Sequence, residues 1–336
     1  MNTAVKLSKL LITSYNNKNF AISFDENRAN EIEYIEDTSL LGSIHIGKVK
    51  KIAKNINAAF VEIEYNSERQ TVYFDMDELK YLIFADEKVH TVLHEGDDIV
   101  IKISKLPIKN KLAGATANLS GCEVLDQILA KKNYIKAPAM LYAGSKDYID
   151  IVKDRLKYAE FDIVTDIKDI YEGIFDFFKE EHEDMLCRVR FYDDNMISLN
   201  KLYSIDTLFS ESLSKKAWLK DGGYLCIEST EALTVFDVNT GKNVRKKEAG
   251  IIKLNTNLEA IKETARQLRL RNISGIIIID LINTTDKSEI DLIYHTMKEH
   301  LKEDRLNTVA IDITKLCLFE ITRRKRKPSL EEIMKK

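Results

Sequence analysis

Apolar and polar residues alternate along the first third of the chain, which predicts short strands. From Leu10 to about Glu36 the alternation indicates a meander of strands, in the segments LLITS, FAISF and EIEYIE. From Gly42 to about Ser120 it continues in the segments GSIHIGKVKKI, AAFVEIEY, TVYF, DDIVIKISKL and LAGATANL. Five strands in about eighty residues are typical of a small closed barrel, and the OB-fold is the commonest barrel of this size.

The period of the pattern changes near Asp126, where helical segments begin to alternate with short strands. The predicted helices include YIDIVKDRLKYA and IYEGIFDFFKEE, and the predicted strands include FDIVTD and LCRVRFY. After Ser214 an α/β unit is predicted, with strands GYLCIES and ALTVFDV, a basic loop, a helix from about Asn257 to Leu270 and the strand GIIIIDLI. The continuous apolar run of the last strand predicts a central strand that is covered on both faces.

Composition narrows the class of protein without choosing a function. The chain has 336 residues, enough for two or three domains, and its 44% hydrophobic and 31% charged residues are typical of a globular protein. A formal net charge of -3 argues neither for nor against nucleic acid, so the distribution of charge has to decide. The cysteines are Cys122, Cys187, Cys226 and Cys317, and none of them form a CxxC pair. This spacing predicts reduced thiols and argues against a zinc site.

Membrane and export signals are weak in this sequence. The apolar run from Leu10 to Ile12 is too short for the core of a signal peptide. The longer run from Ile276 to Ile282 is interrupted by Asp280 and is too short to span a bilayer. We therefore expect a cytoplasmic protein with no membrane partner.

Two predicted strands end in carboxylates that could form one site. Asp237 and Asn239 lie two residues apart on a strand, so both side chains point to the same face. Asp280 ends the apolar strand GIIIID. Two carboxylates from adjacent strands suit Mg²⁺, which can bridge a phosphodiester oxygen and polarise an attacking water. An aspartate at a strand end also commonly serves as a helix cap or turn former, and spacing alone leaves both readings open.

Longer segments resemble one known family. The segments STEALTVFDVNTG and LNTNLEAIKETARQLRLRNISGIIIIDLI closely resemble the catalytic segment of the ribonuclease E/G family. The segments GSIHIGKVKKI and NAAFVEIEYNSERQTVYF resemble that family's OB-fold, and KAWLKDGGYLCIESTEAL resembles the entry to its catalytic domain. The resemblance covers about four-fifths of the chain. The resemblance implies a protein of several domains with mixed α/β structure, an α+β multidomain architecture.

The resemblance also implies how the domains are arranged. An OB-fold RNA-binding domain at 39–125 is expected to be inserted in an RNase H-like domain that is split into 1–38 and 126–215. A DNase I-like catalytic α/β domain is expected at 216–336.

By resemblance, Asp237 and Asp280 match the family's two Mg²⁺-binding aspartates, and Asn239 matches the asparagine that helps to position the site. The implied reaction is hydrolysis within single-stranded RNA, in RNA decay or rRNA processing, leaving 5′-phosphate and 3′-hydroxyl ends. The alternative is a catalytically weakened RNA-binding protein of the same family. A bare OB-fold protein of translation would explain only the first 120 residues.

Three departures from the family's pattern bear on these expectations. TANLSG is followed within about twenty residues by KAPAMLYAG, which leaves no room for the family's sensor of 5′-monophosphate ends, so independence of the 5′ end is expected. The chain ends at PSLEEIMKK, before the family's CPxC zinc link, so no zinc-linked dimer is expected and the oligomeric state stays open. Asn283 stands where the family usually has an aspartate, which motivates the weakened-enzyme alternative.

RNA-contacting residues are expected on the barrel. Phe60 and Tyr73 fall where the family's base-contacting aromatic residues occur, and such rings hold bases by stacking. For Phe60 the alternative is a place in the barrel core. Lys105 and Lys111 lie in KLPIKNKLAG, and Lys111 falls where the family has a phosphate-contacting lysine, although a solvated loop lysine is the alternative reading.

Basic residues also follow the predicted carboxylates. The segment GKNVRKKEAG contains Lys242 and Arg245 directly after Asn239, and such cations would hold an RNA backbone without reading its sequence. The five consecutive cations from Arg323 to Lys327 are expected to be solvated, as charge runs usually are.

Overall fold

The computed structural model describes residues 8–36, 40–85, 92–107, 111–120, 122, 124–144, 146–241 and 249–335. In chain order the strands are β1 Lys9–Tyr15, β2 Lys18–Asp25, β3 Arg28–Ile35, β4 Ile44–Ala53, β5 Ala58–Tyr65, β6 Glu68–Asp75, β7 Ile83–Phe84, β8 Asp98–Lys105, β9 Gly114–Thr116, β10 Ala139–Tyr142, β11 Asp162–Thr165, β12 Val189–Phe191, β13 Lys216–Trp218, β14 Tyr224–Ser229, β15 Leu233–Asn239, β16 Gly275–Asp280, β17 Thr308–Ile313 and β18 Leu318–Arg323. The α-helices are α1 Leu125–Lys132, α2 Asp147–Leu156, α3 Lys168–Glu181, α4 Leu199–Leu202, α5 Ile205–Leu213, α6 Ala249–Leu270, α7 Lys287–Leu301 and α8 Leu330–Met334.

These elements form two compact units. One unit comprises residues 36–150, and the other comprises residues 1–35 together with 151–336. Within the described ranges, no helix has the length and apolar composition needed to cross a membrane.

The unit of residues 36–150 contains a closed barrel of five strands. The strands follow the order β4-β5-β6-β9-β8, and β8 pairs back with β4 to close the barrel. Side chains alternate along β5 and β6, so that Val61, Ile63, Val72 and Phe74 are fully buried inside. The prediction of a small closed barrel is confirmed, and its architecture is consistent with an OB-fold.

The other unit contains two sheets, of which the first has the strand order β12-β11-β1-β2-β3. The neighbours β12, β11 and β1 are parallel, β2 is antiparallel to β1, and β3 at the edge is antiparallel to β2. The helices α4, α5 and α8 pack on one face of this sheet, where Phe209 and Leu330 contact the core residues Leu11, Phe20 and Ile22. Every strand of this sheet comes from the first 35 residues or from beyond residue 160.

The second sheet of this unit is mixed, with the order β13-β14-β15-β16-β18-β17. The strands β15 and β16 are parallel, and the other neighbours are antiparallel. The helices α6 and α7 pack together on one face, and their residues Ile261 and Met297 share a core with Phe236, Ile277 and Phe319 of the sheet. This sheet carries the predicted carboxylates.

The prediction that the strand GIIIIDLI is covered on both faces is wrong. Ile277 and Ile279 are fully buried, but Ile276 on the opposite face is 51% exposed and Asp280 is exposed. The reason is that α6 and α7 both pack on the same side of the sheet. Residues of β16 are therefore alternately buried under the helices and exposed on the other face. The face that carries Asp280 is therefore open.

The basic run near the C-terminus was predicted to be solvated. The structure differs, because most side chains of the run pair with carboxylates. The partners are Asp304 for Arg323, Glu332 for Lys325, Asp154 for Arg326 and Glu33 for Lys327. The Arg323 Nε lies 2.6 Å from the Asp304 Oδ2, and both side chains are at most 2% exposed. The run is therefore mainly part of the fold.

A buried group of ion pairs connects β3 to α2 and to the segment before β17. The Arg155 Nη2 lies 3.1 Å from a Glu31 oxygen and 3.2 Å from a Glu33 oxygen, and Arg305 also pairs with both carboxylates. Burial raises the pKa of Glu33, but the charges of Lys327 and the two arginines outweigh it. The pKa of Glu33 therefore lies well below its usual value, and the carboxylate stays ionised.

Replacing Arg323 with Ala is expected to lower the free energy of unfolding by about 3–5 kcal/mol, because Asp304 would remain as a buried, unpaired charge. Urea denaturation followed by the fluorescence of Trp218, the chain's only tryptophan, measures this loss in the same sheet. The control is Arg324→Ala, at the exposed neighbouring position, with an expected change within about 0.5 kcal/mol. Equal small losses for both variants would contradict the expectation.

Candidate active site

Asp237 and Asp280 lie directly opposite each other on the parallel strands β15 and β16. Neighbouring strands are about 4.8 Å apart, so the two carboxylates project from adjacent points of the sheet. Both side chains are exposed on the open face, whereas the preceding residues Phe236 and Ile279 are fully buried on the other face. The structure thus brings together the two aspartates that the sequence analysis selected.

Asn239 lies beside Asp237 on the same face of β15. Its Nδ2 donates a hydrogen bond of 2.8 Å to the Asp237 Oδ2, and it also lies 3.4 Å from the Asp237 carbonyl oxygen. The contact follows from the two-residue period of a strand. Asn239 therefore orients the carboxylate of Asp237.

A second asparagine, Asn257, holds the chain directly after Asp280. Asn257 lies on α6 and is 1% exposed. Its Nδ2 donates to the Ile282 carbonyl oxygen at 2.9 Å, and its Oδ1 accepts from the Ile282 N–H at 2.9 Å. In the sequence, this role of Asn257 is marked by no more than an amide side chain on the buried face of a helix.

Glycines bring the turn before β14 against the end of β15. Gly241 has a φ of +70°, and a Cβ on it would lie 2.5 Å from the Gly222 carbonyl oxygen. A Cβ on Gly223 would lie 2.7 Å from the Asn239 carbonyl oxygen. Any larger residue at these positions would push the turn away from Asn239.

Asn283 lies in the segment after β16 and is exposed. The thiol of Cys317, which is 3% exposed, donates to the Asn283 Oδ1 at 3.3 Å and to the Thr284 carbonyl oxygen at 3.2 Å. Asn283 is therefore part of the hydrogen bonding that shapes the loop after Asp280.

The donor set at this site fits Mg²⁺. Mg²⁺ prefers oxygen ligands and is usually held by one or two carboxylates while it keeps several waters. Asp237 and Asp280 provide two carboxylates that are open to solvent. Across the residues that the structure describes, no group of three or more His, Cys, Asp and Glu side chains is arranged to hold a metal ion, so a cage made entirely of such ligands is not found there.

In the barrel, Phe60 and Tyr73 lie opposite each other on β5 and β6. Their ring centroids are 6.4 Å apart and their planes meet at 81°. Both rings are half-buried and alternate with the fully buried Val61 and Val72, so they lie on the outer face of the barrel. The alternative place for Phe60, inside the barrel core, is not the one that the structure shows.

The aromatic pair belongs to a row that crosses the barrel. Lys51 on β4 pairs with Phe60, Tyr73 pairs with Gly114 on β9, and Gly114 pairs with Lys105 on β8. Lys51 and Lys105 are both exposed. The row thus has a cation at each end of an aromatic pair. The place of Lys51 in this row was not predicted, because a β-bulge between Val49 and Lys51 shifts the alternation of side chains along β4.

The other predicted cations are placed differently. Lys111 is exposed and precedes β9, outside this row. Lys242 and Arg245 lie outside the described residues, so their predicted place beside the carboxylates stays a prediction.

Comparison with known proteins shows extensive similarity to one family. The family model described as "Ribonuclease E/G family" matches residues 115–326. Ribonuclease G of Salmonella typhimurium is 33% identical over 189 residues, which are 56% of this chain and 37% of that protein, and Ribonuclease G of Escherichia coli K12 matches with the same figures. Ribonuclease G of Haemophilus influenzae is 24% identical over 374 residues, 90% of this chain and 76% of that protein.

The matched region contains the whole of the candidate site. Asp237, Asn239, Asn257 and Asp280 all lie within residues 115–326, which make up more than half of the chain. The match to the Salmonella and Escherichia proteins spans well under half of their length. On the strength of the family match, this chain belongs to the ribonuclease E/G family.

Proposed function

We propose that this protein is a Mg²⁺-dependent endoribonuclease that hydrolyses single-stranded RNA internally, in RNA decay or rRNA processing in the cytoplasm. The observation that carries the proposal is the opposed pair of Asp237 and Asp280, with Asn239 bonded to Asp237, inside the region that the family model matches. The similar proteins are named ribonucleases. The products are expected to have 5′-phosphate and 3′-hydroxyl ends.

In this proposal Asp237 and Asp280 hold the metal ion on the open face of the sheet. A bound Mg²⁺ supplies positive charge at the scissile phosphate and makes a water more acidic. Asn239 keeps the Asp237 carboxylate in one orientation, and Asn257 fixes the backbone that follows Asp280. The exposure of both carboxylates leaves room for the backbone of a nucleic acid to approach.

The barrel supplies a surface for a single strand. Bases would stack on Phe60 and Tyr73, and Lys51, Lys105 and Lys111 would contact phosphates. Stacking requires a base whose face is free, so this surface favours unpaired RNA. Phosphate contacts add affinity without selecting a sequence.

We also propose the finer domain assignment, with an OB-fold, an RNase H-like domain and a DNase I-like catalytic domain. Support for the RNase H-like part comes from the sheet in which three parallel strands, β1, β11 and β12, join the meander β1–β3. Support for a DNase I-like part comes from the mixed sheet with α6 and α7 on one face. The boundaries 39–125 and 216–336 stay predictions.

The second candidate function is a catalytically weakened RNA-binding protein. The observation that favours it is Asn283, which replaces an acidic residue of the family's pattern. Asn283 bonds to Cys317 in the loop after Asp280, whereas the two proposed metal ligands and Asn239 are all retained. Their retention in register makes the active enzyme the better-supported proposal.

Asp280→Asn is expected to reduce cleavage of a labelled single-stranded oligonucleotide by about 100-fold or more, since bound metal contributes several kcal/mol to such reactions. The control is Asp291→Asn, on the exposed side of α7, which should cleave like the wild type. Wild-type protein that binds the RNA but never cuts it, at any Mg²⁺ concentration, would favour the second candidate.

Cleavage is expected to be insensitive to the 5′ end of the RNA. The alignment with the Haemophilus protein extends over 374 positions although this chain has 336 residues, so it includes positions that this chain lacks. Initial rates on matched oligonucleotides with 5′-monophosphate and 5′-hydroxyl ends should be closely similar. A strong preference for the monophosphate would show that an end sensor is present.

Asn239→Ala is expected to weaken Mg²⁺ binding by about 10- to 100-fold, because groups that orient metal ligands commonly contribute this much to affinity. Isothermal titration with Mn²⁺ as a stand-in ion, without RNA, measures the change directly. The control is Asn195→Ala, an exposed asparagine outside this sheet. An affinity for Mn²⁺ that is unchanged in Asn239→Ala would contradict the orienting role of this amide.

A further inference from the structure

Two aromatic residues, one exposed and one half-buried, share the open face of the sheet with the carboxylates. Trp218 on β13 is 67% exposed, and Tyr224 on β14 is half-buried. Their ring centroids lie 5.5 Å apart, with an interplanar angle of 63°. The Lys216 Nζ lies 4.5 Å from the centroid of the Tyr224 ring. These three side chains form an aromatic and cationic patch, called here the β13–β14 platform.

Strand register links this platform to the candidate active site. Two rows of paired residues cross the sheet: Lys216, Cys226, Asp237 and Asp280 in the first row, and Trp218, Tyr224 and Asn239 in the second. Paired residues on adjacent strands point to the same face. The intervening residues Ala217, Leu225 and Val238 are buried on the opposite face. The platform and the carboxylates therefore lie on one continuous surface.

The separation suits neighbouring nucleotides of one strand. Trp218 is two strands away from Asn239, a distance on the order of 10 Å at the usual strand spacing. A single-stranded RNA with its scissile phosphate at Asp237 and Asp280 would reach the platform within a few nucleotides. Lys216 adds a positive charge next to the rings, which matches the charge of a phosphate backbone.

The chemistry of the rings selects the kind of ligand. An exposed tryptophan ring offers a large flat surface that is only partly desolvated, and tryptophan gains much of its binding energy when such a surface is covered. Nucleobases stack on aromatic rings whatever their identity, and every unpaired base has a free π-face. With Lys216 on the Tyr224 ring, the exposed face of Trp218 is the surface best suited to a base.

We propose that the β13–β14 platform stacks one unpaired base of the RNA substrate, a few nucleotides from the cleaved bond, while Lys216 contacts the adjoining phosphate. The identity of the ligand as RNA rests on the proposed function. The aromatic row of the barrel belongs to the unit of residues 36–150, and the platform belongs to the other unit. It makes Trp218 a substrate-positioning residue that favours single-stranded over paired RNA near the cleavage site.

Trp218 is the only tryptophan of the chain, so its fluorescence reports on this surface alone. Titration with a single-stranded oligonucleotide in EDTA, which prevents metal-dependent cleavage, should quench the fluorescence to saturation. The same sequence as a blunt duplex should quench it much less. An emission change that depends on protein concentration without RNA would overturn the proposal, because a second copy of the chain would then cover Trp218.

Kinetics with Mg²⁺ provide the second test. Trp218→Ala should raise KM by about tenfold with little change in kcat, and Trp218→Phe should recover most of the loss because it keeps a stacking ring. The control is Tyr134→Ala, which removes a 90% exposed aromatic residue from the other unit. In a series of substrates that each lack one base, removal of the base at one position should raise the KM of the wild type but not that of Trp218→Ala.

The outcomes separate this proposal from the proposed function. Efficient cleavage without quenching, or with a KM that Trp218→Ala leaves unchanged, would overturn the platform while the nuclease assignment stands. Saturable quenching by single-stranded RNA without any cleavage would support the platform and count against the nuclease.

Discussion

The candidate site depends on the register of two parallel strands. Phe236 and Ile279 are fully buried on the helix-covered face, and the residues that follow them, Asp237 and Asp280, project from the open face as direct partners. A slip of one residue would turn a buried side chain into solvent and a carboxylate into the apolar core. The hydrophobic core beneath the sheet therefore holds the two carboxylates opposite each other, and Asn239 refines the orientation of one of them.

Alternation and strand ends made much of this arrangement predictable. The closed barrel followed from five short alternating segments. The strand ends made a shared site of Asp237 and Asp280 plausible, and the resemblance of the surrounding segments to the family selected it. The open face was missed, because four consecutive isoleucines in β16 have the pattern of a strand buried on both sides. Their true alternation depends on where α6 and α7 pack, which is a tertiary property that the local pattern does not contain.

Contacts between distant residues account for the other differences. Arg323 is buried because Asp304 comes from the loop before β17, and Lys327 pairs with Glu33 of β3. A run of basic residues in the sequence does not indicate such distant carboxylate partners. The role of Asn257 has the same origin, since its two hydrogen bonds reach Ile282, twenty-five residues further along the chain. Ion pairs and amide bridges between elements are therefore the features that sequence patterns reveal least.

The carboxylates and the platform occupy positions of the second sheet that differ in structural constraint. The carboxylates lie on β15 and β16, interior strands whose hydrogen bonds on both sides constrain them. Trp218 lies on β13, an edge strand that pairs only with β14 among the described strands, so a new side chain there disturbs fewer neighbours. Under the proposed function, a substitution at this edge would change contacts to the substrate without moving the proposed metal ligands on the interior strands.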